Sequence, residues 1–458
     1  MQSARRPDPA LVRPAATVAA VGGAVLLWRV LTWQSAVSPD AWAYAAWGQA
    51  LAGFERPLFE LSETTPKPLA TLLGALVAPV PGERAFAVVV ALALAALAAA
   101  LFAAAYREGG AVAGAVAVVA LAAGAQLMHA LVYAYVDIVV AACVLAGIAV
   151  RGRLRIAALV LAGLLRPEAW ALAAVAGFSE VRGSWRRRVG GALLAGACAP
   201  VFWILIDLAL TGDPLGTQNW RSERHAAQGG LDSVPWLEVP RMVLVALRVE
   251  GGVVLAAAGF LGLLLHAVGV RRRGSADPLP LATVIMWSLL LALETRYGIE
   301  LNPRYLFVVA AVLALGCAYL VAACLPRRLW VRSPWPAAAA AVAALVFAAV
   351  TVDFGPAVSH SMAKNKAVAA MAPSIDAVLS CGRLGVAGGR VARATLPMLA
   401  ASSRRSMHEF GLYPREKRFA GVVGVRRTTR ARLPALPPWE RRETALGPLA
   451  VAPRCVAG

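Results

Sequence analysis

Long runs of apolar residues, separated by short basic segments, form the pattern of this chain. Many of the runs, such as residues 15–33 and 335–352, approach the roughly 20 residues that an α-helix needs to cross a bilayer. Ala, Val and Leu fill these runs, and a helix satisfies its own backbone hydrogen bonds in lipid. The pattern therefore predicts an all-α polytopic membrane protein with about 11 transmembrane helices. We expect the first run to be retained, because it has no convincing cleavage site.

Clusters of arginine between the apolar runs predict the orientation, because basic residues concentrate in cytoplasmic loops. The clusters are Arg5 and Arg6; Arg151, Arg153 and Arg155; Arg182 and Arg186 to Arg188; Arg271 to Arg273; and Arg327 and Arg328. With the N-terminus in the cytoplasm, the predicted helices span about residues 15–33, 84–106, 110–129, 131–150, two half-helices within 154–180, 189–210, 241–269, 278–295, 303–323 and 335–352. Residues 34–83 then form a long outer loop, and the C-terminus lies outside.

The composition agrees with a membrane protein and explains the high net charge. Hydrophobic residues make up 60 % of the 458, and charged residues only 15 %, against roughly 25 % in soluble domains. The formal net charge is +20, and residues 353–458 hold 17 Lys and Arg against six Asp and Glu. Most other basic residues lie in short loops, as membrane topology predicts. We therefore expect the basic C-terminal segment to lie against anionic lipid headgroups, and we expect no nucleic-acid partner.

Two domains follow from this pattern. Residues 1–352 form a transmembrane domain that includes the outer loop 34–83. Residues 353–458 contain short apolar stretches between Pro- and Gly-rich turns, which predicts a small extracytoplasmic α/β domain. Cys381 and Cys455 lie in this segment, where an oxidising compartment would allow them to form a disulfide.

The segment 154–180 lies between two basic clusters, so it must enter the membrane and return. It is interrupted at Leu165, Arg166, Pro167 and Glu168. Proline lacks a backbone donor and disfavours a helical residue before it. The interruption predicts two half-helices that meet at Arg166, an arrangement that membrane proteins tolerate where the backbone lines a cavity.

Asp40 is the main candidate for function, because an acid at the edge of a membrane bundle is costly without a partner or a task. Aromatic and aliphatic residues follow it at helical spacing, including Tyr44 and Trp47. This spacing predicts an amphipathic helix that lies in the membrane interface. Lys67 then opens an apolar stretch of about 13 residues, too short to span the bilayer, which predicts a second interfacial helix.

These motifs resemble the GT-C superfamily of membrane glycosyltransferases, nearest its protein O-mannosyltransferase and aminoarabinose transferase branch. The shared order is an acid after the first helix, a juxtamembrane helix with Tyr and Trp, and a Lys-Pro element. Asp137 matches the second acid of the family, and residues 163–168 match its broken helical pair. The resemblance covers roughly residues 15–210. It departs after Lys67, where Pro68-Leu69 replaces a double proline. Beyond this range, residues 302–305 offer a counterpart of the later basic motif.

The resemblance implies transfer of a sugar from a polyprenyl-phosphate donor, on the outer face of the cell membrane, to a cell-envelope glycan, lipid or protein. Such a reaction needs a base for the acceptor hydroxyl, which Asp40 can supply, and cations that stabilise the departing phosphate. Attack opposite the phosphate would invert the anomeric centre. Asp137 would orient the acceptor or the sugar, or hold a basic residue.

The candidate residues fall into three groups. The catalytic candidates are Asp40 and Asp137; the donor phosphate-binding candidates are Lys67, Arg166, Arg296 and Arg304; and the substrate-binding candidates are Trp42, Tyr44, Trp47, Glu168 and Tyr305. No cofactor is predicted, although the sequence leaves open a divalent metal ion between the two aspartates.

Structural alternatives remain for these residues. Asp40 would serve as a helix N-cap, Lys67 as an interfacial lysine, and Arg166 as a partner of Glu168. For the whole chain, the alternatives are a lipid-linked sugar transporter or flippase, and a non-catalytic membrane assembly protein.

Overall fold

A computed structural model describes most of the N-terminal half of the chain and separate stretches after it. The described residues are 9–32, 37–59, 64, 66–80, 84–217, 219, 253–269, 277–296, 303–324, 334–351, 363, 365, 366, 368, 370, 371, 375, 378–387, 390–403, 408, 410–413, 421–424, 440–444 and 447–451.

The described residues are mostly helical. In chain order the helices are α1 (Pro9–Thr32), α2 (Pro39–Ala52), α3 (Pro68–Leu76), α4 (Arg84–Ala122), α5 (Ala125–Val132), α6 (Asp137–Ala149), α7 (Arg153–Gly163), α8 (Glu168–Glu180), α9 (Trp185–Thr211), α10 (Val253–Gly269), α11 (Leu279–Arg296), α12 (Phe307–Cys324), α13 (Trp335–Thr351) and α14 (Arg390–Ser403). A 3₁₀ turn, Pro303–Leu306, leads into α12. The pair α7 and α8 confirms the interruption at Arg166.

Four stretches of the described helices are long and apolar enough to cross a membrane, judged by length and composition. They are Arg13–Thr32, Arg84–Ala122, Trp185–Thr211 and Arg304–Cys324. Shorter apolar helices, of 10 to 17 residues, include α6, α10 and parts of α11 and α13. The first part of the predicted helix 241–269 lies outside the described residues.

Helix α4 folds back on itself at Gly110, whose backbone has φ 72° and ψ −166°. A Cβ atom on Gly114 would lie 3.0 Å from the ring of Phe102. Twelve residues of straight helix would hold the two about 18 Å apart. The chain therefore reverses here, and α4 supplies the helix predicted over 84–106 and the first part of the helix predicted over 110–129. The rest of the second prediction falls in the separate helix α5. Glycine suits this position because a residue with a side chain rarely adopts a positive φ.

The two helices predicted within residues 34–83 are α2 and α3, but the expectation that α2 is amphipathic is wrong. Trp42, Tyr44 and Trp47 are all at most 1 % exposed, and residues 41–48 are buried on every side. The reason is close packing of α3 on α2, where a Cβ atom on Gly48 would lie 2.1 Å from the carbonyl carbon of Gly74. Helix α14 packs against α2 as well.

A five-stranded sheet follows α13 in the chain. Its strands are β1 (Leu384–Ala387), β2 (Phe410–Tyr413), β3 (Gly421–Gly424), β4 (Glu440–Thr444) and β5 (Gly447–Val451), in the order β2-β1-β3-β5-β4. Strand β1 pairs in parallel with β2 and β3, whereas β5 pairs antiparallel with β3 and β4. Helix α14 connects β1 to β2, so the segment has an α/β arrangement.

The C-terminal part of the chain contacts the segment 34–83, which was predicted as an outer loop. The side-chain amide of Asn365 donates to the carbonyl of Val37 at 3.5 Å, and Nε2 of His408 lies 3.0 Å from the carbonyl oxygen of Arg56. Cys381 is disulfide-bonded, whereas Cys143, Cys198, Cys317 and Cys324 are free. The predicted partner, Cys455, lies outside the described residues.

Candidate active site

Six charged side chains from five parts of the chain come together. We call them the outer charge cluster, because the sequence predicts that they lie on the outer side of the membrane. They are Asp40 in the first turn of α2, Lys67 just before α3, Asp137 at the start of α6, Arg166 and Glu168 at the turn between α7 and α8, and Arg304 in the turn before α12. All six are candidates that the sequence predicts.

Arg304 lies between the two aspartates of the cluster. Its Nη1 donates to Oδ2 of Asp40 at 2.8 Å, and its Nε lies 4.0 Å from Oδ2 of Asp137. Thr64, which the sequence analysis missed, donates its hydroxyl to Oδ1 of Asp40 at 2.9 Å. Residues 40 and 137 are far apart in sequence, yet one guanidinium group spans the gap between their carboxylates.

Arg166 is held by two acids. Its Nε and Nη2 donate to Oδ1 of Asp137 at 3.1 and 2.6 Å, and its Nη1 donates to Oε1 of Glu168 at 3.3 Å. All three nitrogens of this guanidinium are thus engaged with carboxylates. The ring of Tyr305 lies 3.9 Å from its Cζ, in cation–π contact.

Electrostatics differ between Asp40 and Lys67. Burial alone would raise the pKa of Asp40, but the charges of Arg304 and Lys67 outweigh it and hold this pKa below the usual value. Burial lowers the pKa of Lys67 to about 8, and the charge of Arg166 adds to the effect. At neutral pH Asp40 is therefore ionised and Lys67 is still mostly protonated, but Lys67 loses its proton as the pH rises through about 8.

Two backbone hydrogen bonds fix the elements that carry the cluster. The amide of Ser38 donates to the carbonyl of Tyr133 at 2.9 Å, which ties the start of α2 to the turn before α6. The amide of Leu69 donates to the carbonyl of Leu164 at 3.4 Å, which ties α3 to the turn after α7. Ser38 also caps α2, since its hydroxyl accepts from the amide of Ala41. Asp40 is thus not the N-cap of its helix.

The turn before Asp137 has a left-handed residue, Ala134, with φ 51°. A non-glycine residue in this conformation stores strain, and such residues concentrate at functional sites. The neighbouring rings of Tyr133 and Tyr135 stack with centroids 5.4 Å apart, and Arg304 lies 4.9 Å over Tyr135. The strained turn thus presents both an aspartate and an aromatic face to Arg304.

The aromatic candidates lie in the protein core. Trp47 makes edge contacts with Tyr44 and Phe59, at centroid distances of 5.7 and 4.9 Å. Neither Trp42 nor Trp47 has an acceptor for its indole N–H among the described residues. Tyr305 is held through its carbonyl, which accepts from Nε1 of Trp287 at 3.0 Å.

Arg296, the remaining candidate, is the last residue of α11, and the position of its side chain lies outside the description. The described residues include no group of three or more His, Cys, Asp or Glu that could hold a metal ion. At the point between Asp40 and Asp137 where such an ion was left open, the structure has the guanidinium of Arg304.

A second cluster, which we call the inner charge cluster, was missed by the sequence analysis. It joins Arg151 and Arg155 near the start of α7 to Glu180 at the end of α8 and Asp277 before α11. Arg155 was interpreted as one of several loop arginines, but its side chain is only 1 % exposed. The sequence signal was weak, since Asp277 is 122 residues away from its partner.

No protein-family model matches the sequence, and no curated protein sequence matches it either. Among solved structures, ArnT from Cupriavidus metallidurans bound to undecaprenyl phosphate is similar, with TM-score 0.53 and 16 % identity over 88 % of this chain and 85 % of ArnT. The apo state of that protein matches with TM-score 0.52 and 16 % identity, over 85 % of this chain and 84 % of ArnT. The apo oligosaccharyltransferase of Archaeoglobus fulgidus matches with TM-score 0.46 and 13 % identity, over 86 % of this chain and 63 % of the oligosaccharyltransferase. This TM-score is too low to support a fold assignment.

ArnT, an aminoarabinose transferase, belongs to the GT-C superfamily. The two ArnT matches cover most of both chains, so they show that this chain has the GT-C fold. The resemblance inferred from Asp40, Lys67 and Asp137 is therefore confirmed at the level of the fold.

Proposed function

We propose that this protein is a membrane glycosyltransferase, which moves a sugar from a polyprenyl-phosphate donor to an acceptor hydroxyl outside the cytoplasm. The observation that carries the proposal is the outer charge cluster, in which Arg304 lies between Asp40 and Asp137 with Lys67 close by. The GT-C fold supports it, as does the binding of undecaprenyl phosphate by ArnT, a protein of the same fold.

In the proposed reaction, the acceptor oxygen attacks the anomeric carbon of the donor sugar while its proton passes to the Asp40 carboxylate. The bond between the anomeric carbon and the phosphate oxygen breaks, and polyprenyl phosphate leaves with one more negative charge. A single displacement of this kind inverts the anomeric centre. Positioned cations lower the barrier because they stabilise the charge that develops on the phosphate.

Lys67 and Arg304 are the cations best suited to hold the donor phosphate. Arg304 is bonded to one aspartate through Nη1 and is 20 % exposed. Arg166 has all three nitrogens on carboxylates and is 9 % exposed, so we assign it to positioning Asp137 and Glu168. Arg296 stays a phosphate-binding candidate on the basis of sequence alone.

Donor binding would also activate Asp40. A carboxylate whose pKa is held low is a weak base, and general bases work best with a pKa near the operating pH. A donor phosphate that shares Arg304 with Asp40 would weaken the Arg304–Asp40 pair. The pKa of Asp40 would then rise, and the base would gain strength only when the donor is in place.

The proposed setting is the cell membrane, with the N-terminus in the cytoplasm and about 11 spanning helices, as loop charge predicts. Residues 353–458 would form an extracytoplasmic α/β domain near the acceptor, which is a cell-envelope glycan, lipid or protein. The disulfide at Cys381 and the contact between α14 and α2 support this side of the membrane.

The test is sugar transfer by the purified full chain in nanodiscs, supplied with undecaprenyl-phosphate-linked sugars and cell-envelope extract as acceptor. We expect Asp40→Asn to reduce transfer by about 100-fold or more, the usual contribution of a general base, with unchanged thermal stability. The control is Asp213→Asn, whose carboxylate bonds only within its own turn among the described residues. Full activity of Asp40→Asn would refute the proposal. Passage of a lipid-linked sugar across liposomes, without transfer, would favour the transporter alternative.

A further inference from the structure

One oxygen of the outer charge cluster has no hydrogen-bond partner among the described residues. Glu168 lies in the first turn of α8 and is 3 % exposed. Its Oε1 accepts from Arg166, but no described residue donates to its Oε2. Burying a carboxylate oxygen without a hydrogen-bond donor is costly, so such an oxygen needs an explanation.

A second oxygen nearby is nearly as open. Oδ2 of Asp137 has Nε of Arg304 at 4.0 Å, beyond hydrogen-bond distance. Arg166 bonds to the other oxygen of Asp137 and to Oε1 of Glu168, so it holds both carboxylates around a single guanidinium group. The two open oxygens therefore belong to side chains fixed by the same arginine.

We propose that Glu168 is a sugar-recognition residue, whose Oε2 accepts a hydrogen bond from a hydroxyl or amino group on the sugar ring of the donor. The inference rests on the proposed function and specifies that Glu168 recognises the sugar of the donor. Of the three parts of a polyprenyl-phosphate sugar, the polyprenyl chain has no hydrogen-bond donor and the phosphate repels a carboxylate. Only the sugar has groups that can donate to Glu168 Oε2.

The arrangement also predicts a charge preference. Arg166 carries one positive charge, and the two carboxylates that it bonds carry two negative charges when ionised. A neutral or amino sugar suits this surrounding, whereas a uronic acid would bring a third carboxylate beside Glu168. We therefore expect the protein to discriminate against acidic sugars at this position.

The test compares a sugar-free carrier, the methyl ester of undecaprenyl phosphate, with undecaprenyl phosphate linked to mannose, glucose or glucuronic acid. All of these are phosphodiesters, so their phosphate groups carry the same single negative charge. The full chain is titrated in nanodiscs by calorimetry. For the preferred neutral sugar, we expect wild-type protein to bind the sugar-linked carrier at least about tenfold more tightly than the sugar-free carrier, as a hydrogen bond to a charged group allows. The glucuronic acid carrier should gain nothing.

Two variants isolate Glu168. Glu168→Gln keeps a weaker acceptor and Glu168→Leu removes it, so the sugar-dependent gain should shrink in the first and vanish in the second. Affinity for the sugar-free carrier should stay within about twofold in both, a change that would amount to about 0.4 kcal/mol. Thermal stability of both variants is measured, and Glu168→Gln keeps the test valid if Glu168→Leu does not fold.

The possible failures are distinct. An unchanged sugar-dependent gain in folded Glu168→Gln and Glu168→Leu would overturn the inference and leave the proposed function intact. Equal binding of all carriers by wild-type protein would overturn it as well. If instead no carrier binds, or if Lys67→Met does not weaken binding of the sugar-free carrier, the proposed function itself has failed.

Discussion

The two charge clusters are built from acidic and basic side chains at opposite ends of α8. They differ in how many of their carboxylate oxygens have a hydrogen-bond or ion-pair partner. In the inner cluster every carboxylate oxygen has a partner. Asp277 accepts from Arg155, Arg151 and the amide of Leu279, and Glu180 contacts Arg155 and the amide of Gly152. In the outer cluster, Glu168 Oε2 has no described donor, and Asp40 is 25 % exposed.

This difference separates a structural cluster from a candidate site. A closed network gives rigidity, because each buried charge is compensated and no ligand can enter without breaking a bond. An open network retains acceptors and cations that a substrate can use, at a cost in stability. We therefore expect mutations of the inner cluster to affect mainly folding and mutations of the outer cluster to affect mainly function.

The largest effect on stability should come from the inner cluster. Arg155→Met removes a buried cation and leaves Asp277 and Glu180 without their shared partner. Breaking a buried ion pair in this way costs about 3–5 kcal/mol. Thermal unfolding in detergent measures the loss, and Arg153→Met, at an exposed neighbouring position, is the matched control. Equal stability of the two variants would contradict the structural role of the inner cluster.

The next prediction concerns the packing of α2 on α3, which positions Asp40 and Lys67 of the outer charge cluster. Gly74→Ala would place a Cβ atom 2.1 Å from the carbonyl oxygen of Tyr44, so α2 and α3 must separate. Overpacking of this kind costs about 1–3 kcal/mol, and it would also shift Asp40 relative to Lys67. We expect weaker binding of undecaprenyl phosphate together with lower thermal stability. Gly53→Ala is the control, because its Cβ atom would meet only ordinary contacts at 3.5 Å.

The pH dependence of binding tests whether the ammonium group of Lys67 binds the phosphate. Its pKa of about 8 means that the ammonium is present below pH 8 and is lost as the pH rises through 8. Above pH 7 a phosphate monoester is mostly dianionic, since its second pKa is about 6. Affinity for undecaprenyl phosphate should therefore fall above pH 8 by up to about tenfold per pH unit. Lys67→Arg should flatten this profile in calorimetric titrations, and a profile identical to wild type would exclude Lys67 as the phosphate ligand.

The smallest effect concerns the strained turn before Asp137. Ala134→Gly should be neutral or stabilise the protein by up to about 1 kcal/mol, because glycine adopts a positive φ without strain. Ala130→Gly, inside α5, should instead destabilise it by about 1 kcal/mol. Thermal unfolding of the two variants gives the comparison. Destabilisation by Ala134→Gly would show that the turn is not strained.

Local signals predicted much of the fold. Apolar runs and arginine clusters placed α1, α9 and α12, and Pro167 placed the break between α7 and α8. Gly110, in contrast, was not distinguished from other glycines, although the helix that it reverses was divided at the correct region. Asp40, Asp137 and Lys67 were found because their order resembles a known family.

Contacts between distant segments account for what the sequence did not reveal. Aromatic spacing in α2 indicated an exposed face, but α3 and α14 cover it, and α14 follows α2 by more than 300 residues. The pairing of Arg155 with Asp277 likewise joins two segments that no local pattern connects. Thr64 bonds to Asp40 across 24 residues of sequence, a separation at which no local pattern connects the two.

The covering of α2 by α14 also has a consequence for biogenesis. Helix α2 leaves the ribosome early, whereas α14 is synthesised only after α13. In the proposed topology, the helix that carries Asp40 must therefore wait without α14 while the later helices are inserted and residues 353–458 are exported. In that topology, α2 would gain this last cover only after residues 353–458 are exported and Cys381 is oxidised, so the proposed activity would begin after translocation has finished.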